Sequence, residues 1–353
     1  MALGELSARF ERVQRLLVRA TNWIGDAVMS LPALEALRAR FPRAEIVLLA
    51  KPWVSELYWH HPAVNRLMVY KSQGEHRGLG GAMKLVREIE RERFDAAILF
   101  PNSFHSAWLV WQAGIPLRIG YARDGRSWLL DDAIEPPLEA ACGHQVYYYL
   151  ELLFRAGIIP APPPVEKIQL RLTDEEKRAA ARVLEGFGLG GPRFLVGLAP
   201  GAAFGPAKRW PAERFAELAD RLVGAMNADV IIFGSAAEKP LAESVAASMK
   251  RTPVIAAGRT SPREWLALMT RCRLLVTNDS GAMHLGAALG VPLAAIFGST
   301  DPRATGPLGA AVRIVRRPVE CSPCGRRECP IDFRCMKKVS VEQAFRAALE
   351  LAL

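Results

Sequence analysis

The sequence predicts an α/β fold made of two doubly wound, Rossmann-like domains, and three observations predict it. The chain has 353 residues, and domains run to roughly 100–200 residues each. Each half alternates short, continuous apolar runs with amphipathic segments, the pattern of parallel strands covered on both faces. A proline-rich break, IPAPPP at residues 159–164, separates the halves and reads as a linker. The predicted domains are 1–165 and 166–353.

In the first half, residues 15–21 (RLLVRAT) form an apolar run that ends in a turn signal. Residues 26–40 carry Val28, Leu31, Leu34 and Leu37 at helical spacing. Residues 45–50 (EIVLLA) and 94–100 (FDAAILF) read as buried strands, and a further strand ends at residues 69–71. Residues 83–93 and 144–156 read as helices. In the second half, Thr173 and Glu176 form a capping-box pattern that opens a helix. Strands are predicted at 194–199, 230–233, 254–257, 274–277 and 293–297, and helices at 212–225, 240–250, 262–272 and 282–289. Two such units put a ligand cleft between the carboxyl ends of their sheets.

Composition narrows the function classes. Half the residues are apolar and 23% are charged, and 28 glycines and 25 prolines occur without a repeat. That excludes collagen-like, low-complexity and largely disordered chains. The charge-free stretch 281–297 is interrupted by His284, Gly286, Gly290 and Pro292, so it is not a membrane span. The N-terminus, MALGELSARFERVQRLL, carries charges where a signal peptide needs an apolar core. A cytoplasmic protein is expected. Lys and Arg outnumber Asp and Glu by 46 to 36, which favours an anionic partner.

Four polar strand ends carry the candidate chemistry. NWIGD follows the first strand, and Asp26 there is either a helix N-cap or a carboxylate base. PGAAFGPAKRWP follows the strand at 194–199. Its spacing and lack of Ser or Thr after Lys208 exclude a P-loop, but Gly201, Ala202, Lys208 and Arg209 suit a diphosphate. NDSGAMH follows the strand at 274–277, so Ser280 and Gly281 would offer helix-terminal N–H groups to phosphate. Asp279 and His284 there are ligand contacts, or a cap and a packing residue. FGSAAE and FGSTD place Gly-Ser after two more strands, with Glu238 suited to sugar or ribose hydroxyls.

Cys321, Cys324, Cys329 and Cys335 follow a C-x2-C-x4-C-x5-C pattern within a basic stretch. They are either reduced, packed thiols or a structural zinc site. No D-x-D or H-E-x-x-H motif occurs. The first absence argues against a carboxylate-bound metal of the kind many sugar-nucleotide transferases use.

Taken in order, these stretches resemble the ADP-heptose:lipopolysaccharide heptosyltransferases, glycosyltransferase family 9. NWIGDAVMSLPALEALR, PNSFHSA, IGYARDGRS, PGAAFGPAKRWP, NDSGAMHLGAALGVP, FGSTDP and CSPCGRRECPIDFRCM carry the resemblance from Asn22 to Met336. The phosphate-loop form and the cysteine-rich tail are most similar to the members that add the second inner-core heptose. The resemblance implies a GT-B fold with an N-terminal acceptor domain and a C-terminal nucleotide-sugar domain, whose last helix can pack back on the first. It implies an inverting, metal-independent transferase with ADP-heptose as donor and no required cofactor. Asp26 would be the base, and Lys208 would meet the donor diphosphate. Gly201, Ala202, Arg209, Glu238, Asp279, Ser280, Gly281 and His284 would complete the donor site. Asn22, Lys51, Asn102, His105, Arg123 and Arg126 are the expected acceptor contacts, with Lys71 and Arg77 as further basic candidates. The glycine-rich residues 74–81 are expected to form a mobile acceptor loop. The partner is the lipopolysaccharide inner core, met by peripheral contact at the cytoplasmic face of the inner membrane, with no nucleic acid. The alternatives are transfer of the first heptose, another GT-B nucleotide-sugar enzyme such as an epimerase, and a non-catalytic nucleic-acid-binding protein.

Overall fold

The computed structural model describes residues 10–138, 143–309 and 311–352. The first nine residues of the charged N-terminus therefore lie outside the described residues. Contacts divide the chain into two compact units, Met1–Val165 and Glu166–Leu353.

The first unit is a six-stranded parallel sheet. Its strands are β1 (Arg15–Arg19), β2 (Glu45–Ala50), β3 (Arg66–Val69), β4 (Ala96–Leu99), β5 (Leu117–Tyr121) and β6 (Asp132–Ile134), in the order β3-β2-β1-β4-β5-β6. Its helices are α1 (Ile24–Met29), α2 (Leu31–Arg40), α3 (Gly78–Arg91), α4 (Phe104–Gln112) and α5 (Gln145–Arg155). The middles of the central strands are apolar because both faces are covered. Leu16, Leu17 and Val18 of β1 are fully buried, each contributing about 1.5–3 kcal/mol of hydrophobic stabilisation.

Three expectations are corrected here. The helix expected over 26–40 is two helices, which meet at Ser30. Pro32 stands in the first turn of α2, where its missing N–H is tolerated only if a new helix starts. Asp26 is not the N-cap: Trp23 is, without a side-chain cap bond, and Asp26 lies in the first turn. The glycine-rich 74–81 segment is not a free loop, because α3 begins at Gly78.

The second unit repeats the plan with β7 (Leu195–Ala199), β8 (Asp229–Ile232), β9 (Val254–Ile255), β10 (Leu274–Asn278), β11 (Leu293–Phe297) and β12 (Val312–Arg316). They form a parallel sheet in the order β12-β11-β10-β7-β8-β9. Its helices are α6 (Asp174–Gly186), α7 (Ala212–Met226), α8 (Lys239–Ser248), α9 (Pro262–Met269), α10 (Gly281–Ala288) and α11 (Val341–Ala352). The last helix, α11, packs on α7 and on β10, β11 and β12 of its own unit.

The capping box at Thr173 forms, and it does more than cap. Glu176 accepts the Thr173 N–H at 2.7 Å and also holds the Arg263 guanidinium at 2.6 and 2.7 Å. This ties α6 to α9. Burial alone would raise the Glu176 carboxyl, but Arg263 and Thr173 outweigh it and hold it at about 2. A depressed carboxylate stabilises the fold above its ordinary value and loses that contribution as pH falls through the folded value. Wild-type Tm is therefore expected to drop as pH falls from roughly 4.3 towards 2, and Glu176→Gln to flatten that drop. Glu176→Ala removes the carboxylate that neutralises the buried Arg263 and is expected to cost about 3–5 kcal/mol in urea unfolding at neutral pH.

Candidate functional site

Each sheet reverses its winding once, between β1 and β4 in the first unit and between β7 and β10 in the second. Loops leaving neighbouring strands there turn to opposite faces, and the crevice between them is where open α/β sheets bind ligands.

At the second unit's switch point, three predicted stretches meet. The β10 end supplies Asn278, Asp279 and the helix terminus of α10. Asn278 is fully buried. Its Oδ1 accepts the Trp210 N–H at 3.1 Å, and its Nδ2 donates to the Pro200 carbonyl at 2.7 Å. One amide thus fixes both ends of the loop after β7. The ammonium of Lys208 reaches Asp279 at 2.6 Å and lies 4.8 Å from the centre of the Phe204 ring. Asp279 also accepts from the Thr300 hydroxyl at 2.5 Å, so it cannot swing away from the lysine. Arg209 is exposed and donates to the Ala202 carbonyl at 3.3 Å. Ser280 is the N-cap of α10 but makes no side-chain cap bond; its hydroxyl meets that of Thr277 at 3.3 Å, while its carbonyl accepts the Met283 N–H at 3.2 Å. His284 is buried within α10.

Two glycines in this loop answer to close approaches. A Cβ on Gly201 would sit 2.0 Å from Glu238 Oε1. The Glu238 carboxylate caps its own turn through Oε2, accepting from the Ser235 N–H at 2.8 Å and hydroxyl at 2.9 Å. Its Oε1 is thereby laid against the backbone of the loop after β7 at Gly201. A Cβ on Gly205 would sit 2.3 Å from the Arg327 carbonyl, which accepts the Ala207 N–H at 3.1 Å.

Arg327 belongs to the cysteine-rich segment, and that contact explains what the segment does. Arg327 Nε donates to the Phe204 carbonyl at 2.7 Å, and its guanidinium lies 5.4 Å from the same ring that Lys208 faces. The N–H groups of Cys324 and Gly325 donate to Ser299 at 2.9 and 2.8 Å. Of the two alternatives for the cysteines, the packed thiols are favoured over zinc: among the described residues no three His, Cys, Asp or Glu form a group able to hold a metal ion. Cys321, Cys324, Cys329 and Cys335 are free thiols that range from exposed to buried. Burial raises the Cys335 thiol above its ordinary value. Burial would also raise Cys329, but the backbone N–H groups of Ile331, Phe333 and Asp332 outweigh it and lower this thiol.

At the first unit's switch point, Asn22 and Asp26 follow β1, and Asn102 and His105 follow β4. Asp26 stands close enough to Tyr58 and Tyr149 that its charge adds to burial in raising both phenols. Asn102 Nδ2 donates to the Tyr148 hydroxyl at 2.8 Å. His105 Nε2 shares a 2.9 Å bond with the Tyr70 hydroxyl. Lys51 lies 5.1 Å from the centre of the Trp53 ring, whose Nε1 donates to the Asn22 carbonyl at 3.0 Å. Arg123 is half-buried. Lys71 is paired with Glu75 at 2.7 Å.

Arg126 is the clear departure from expectation. It is 0% exposed. Its guanidinium donates to the carbonyls of Tyr121 at 3.0 Å and Ser103 at 3.2 Å and to the Ser106 hydroxyl at 2.9 Å. Buried arginines are kept where they satisfy several carbonyls at once. Arg126 therefore joins the loop after β5 to the loop after β4 and is no surface contact.

The sequence did not single out Arg19, Asn278 or Arg327, whose hydrogen bonds hold the loops after β1 and β7. Arg19 is an arginine inside an apolar strand run, which was the available signal. Asn278 was visible as the first residue of NDSG, but it reads there as part of a helix cap.

The sequence matches glycosyltransferase family 9 (heptosyltransferase) over residues 82–333. Lipopolysaccharide heptosyltransferase 2 of Escherichia coli K12 is 34% identical over 310 residues, covering 86% of this chain and 88% of that protein. The solved structure of E. coli ADP-heptose LPS heptosyltransferase II superposes with a TM-score of 0.81 at 30% identity, covering 96% of this chain and 98% of that one. The family 9 glycosyl transferase of Veillonella parvula superposes with a TM-score of 0.82 at 25% identity, covering 96% and 97%.

Asn278→Ala removes the partners of two buried backbone groups, each costing about 1–3 kcal/mol when left unsatisfied. Urea unfolding is expected to show a loss of that size. Asn278→Asp should be nearly as costly, because a carboxylate cannot donate to Pro200. A change under a few tenths of a kcal/mol in both would remove Asn278 as the anchor.

Proposed function

The chain belongs to glycosyltransferase family 9, the heptosyltransferases, and from that premise we propose that it moves heptose from ADP-heptose to the heptosyl-Kdo2-lipid A inner core of lipopolysaccharide, with inversion and without a metal. The observation that carries the reading is the second unit's switch point. There an uncapped helix terminus, a small-residue loop and a lysine held by Asp279 converge as a site for a diphosphate. The two doubly wound sheets are those of a GT-B glycosyltransferase. The similarity to proteins named heptosyltransferase 2 supports addition of the second heptose.

Asp26 takes the proton from the acceptor hydroxyl as that oxygen attacks the anomeric carbon on the face opposite ADP. The ADP oxygen leaves with the electron pair of the broken bond. Lys208 spends one N–H on Asp279 and offers the others to the leaving diphosphate, supported by the α10 terminus and by Arg209. Glu238 Oε1 receives a ribose hydroxyl. Supplying the cationic charge from Lys208 fits the missing D-x-D motif, so no cofactor is required.

Membrane contact is peripheral and at the cytoplasmic face. No helix among the described residues is long and apolar enough to cross a membrane. The first unit exposes an aromatic cluster in which Trp128 lies 5.8 Å from Trp111 and 6.1 Å from Phe104. Trp128 is 65% exposed. Such rings favour the lipid–water boundary, where the acceptor's lipid A sits.

ADP release from ADP-heptose is expected to require heptosyl-Kdo2-lipid A and to persist in EDTA. Release with Kdo2-lipid A alone would reassign the chain to the first transfer, and loss in EDTA would overturn metal independence. Asp26→Asn is expected to lower turnover by about 10²–10⁴-fold while ADP affinity holds, and full turnover would remove it as the base. Trp111→Ala and Trp128→Ala are each expected to weaken binding to anionic lipid vesicles roughly tenfold, with unchanged ADP affinity.

A further inference from the structure

The second unit's switch point is short of positive charge. Lys208 and Asp279 stand 2.6 Å apart, so their charges largely cancel. Two further carboxylates border these loops. Glu238 caps its own turn, and Asp301 is paired with Arg303 at 2.7 Å. A diphosphate carries several negative charges and is held best where uncancelled cations converge on it.

Arg327 brings such a cation from the cysteine-rich segment. It is exposed. Its Nε donates to the Phe204 carbonyl at 2.7 Å, and its guanidinium lies 5.4 Å from the centre of the Phe204 ring. The Lys208 ammonium lies 4.8 Å from the same centre. One ring therefore has both cations against it. The bond at Nε orients the guanidinium, and its two Nη groups have no acceptor among the described residues. No carboxylate pairs with Arg327 among those residues, Glu328 beside it in the sequence included. Other cations of the segment are engaged. Arg334 is held by Asp332 at 3.1 Å, and Arg316 donates to the Ser322 hydroxyl at 3.3 Å.

The backbone fixes this placement. The Arg327 carbonyl accepts the Ala207 N–H at 3.1 Å and fills the space that a Cβ on Gly205 would need. A few residues earlier, the N–H groups of Cys324 and Gly325 donate to the Ser299 carbonyl, and the Ser322 hydroxyl donates to the Gly298 carbonyl. Thr300, next to Ser299, holds Asp279. The segment is thus strapped across the loop that carries Lys208 and the loop that steadies its partner. Those backbone bonds do not need the Arg327 side chain, so a substitution there removes charge and leaves most of the strap.

We propose that Arg327 is a donor-binding residue, which meets the nucleotide's diphosphate together with Lys208 and offers its Nη edge to the phosphate oxygens. This rests on the reading under Proposed function that the second unit takes a nucleoside diphosphate.

Equilibrium binding tests the contact without acceptor or turnover. Arg327→Gln is expected to weaken ADP about tenfold, AMP less, and adenosine not at all. Arg327→Lys should recover part of the loss. The loss should shrink as salt rises, because an exposed charge is screened. Wild-type ADP affinity in Arg327→Gln overturns the contact. So does a loss that adenosine shares and salt leaves unchanged, since that is the mark of packing alone. Thermal melts check the fold, and if Arg327→Gln fails to fold, Arg327→Met carries the same comparison. Heptose transfer with Arg327-independent ADP binding overturns the contact and keeps the function. Arg327-dependent ADP binding in a protein that transfers no heptose keeps the contact and overturns the function.

Discussion

A sheet whose strands all run one way must send its chain back over one face or the other, and here each sheet changes face once. Around that change, β1 with β4 and β7 with β10 each open their loops away from one another. Much of what is polar and buried is gathered at those two openings. Arg19 ends β1 and Ser30 stands between the two helices that follow, while Thr277, Asn278, Asp279 and His284 lie at the end of β10 or in the turn and helix that follow. Elsewhere the sheets are apolar through their thickness. The winding decides where charge is tolerated, and the side chains then decide what charge it is.

The two openings solve opposite electrostatic problems. In the second unit the cation brings its own counter-ion, since Lys208 rests on Asp279 and Asp279 is in turn tied to Thr300. That pair can sit at low dielectric because its charges match and Thr300 fixes the carboxylate. In the first unit Arg19 is held by carbonyls and by Asn22, and Asp26 stands near the buried phenols of Tyr58 and Tyr149.

Much of this was legible in the residues. Strands β2, β4, β7 and β11 announce themselves as unbroken apolar runs because neighbours cover both faces. The edge strands β6 and β12 do not, and β5 was missed as well. β12 reads VRIVR, with exposed residues along an outer edge, and a charged strand reads like a loop. The helix break at Ser30 was hidden because the apolar spacing continues across it, although Pro32 could have marked it. Arg126 was misplaced for a general reason. An arginine in a Gly-Arg-Ser turn looks solvated, and only three-dimensional packing reveals carbonyls converging on it. Arg19 was overlooked for the converse reason, since an apolar run conceals the exception inside it.

The cysteine-rich segment also bears on how the protein comes apart. It is distant in sequence from the phosphate loop, yet Arg327 meets that loop's backbone and ring, and Met336 is buried in the second unit's core. A nucleotide gripped by the loop would also clamp the chain's last forty or so residues in place. Occupancy of the donor site would then be felt as resistance of the tail to proteases and to amide exchange, far from any atom the nucleotide touches. Damage to the tail, by oxidation of its thiols for example, would be felt in reverse as a slackened grip on the nucleotide.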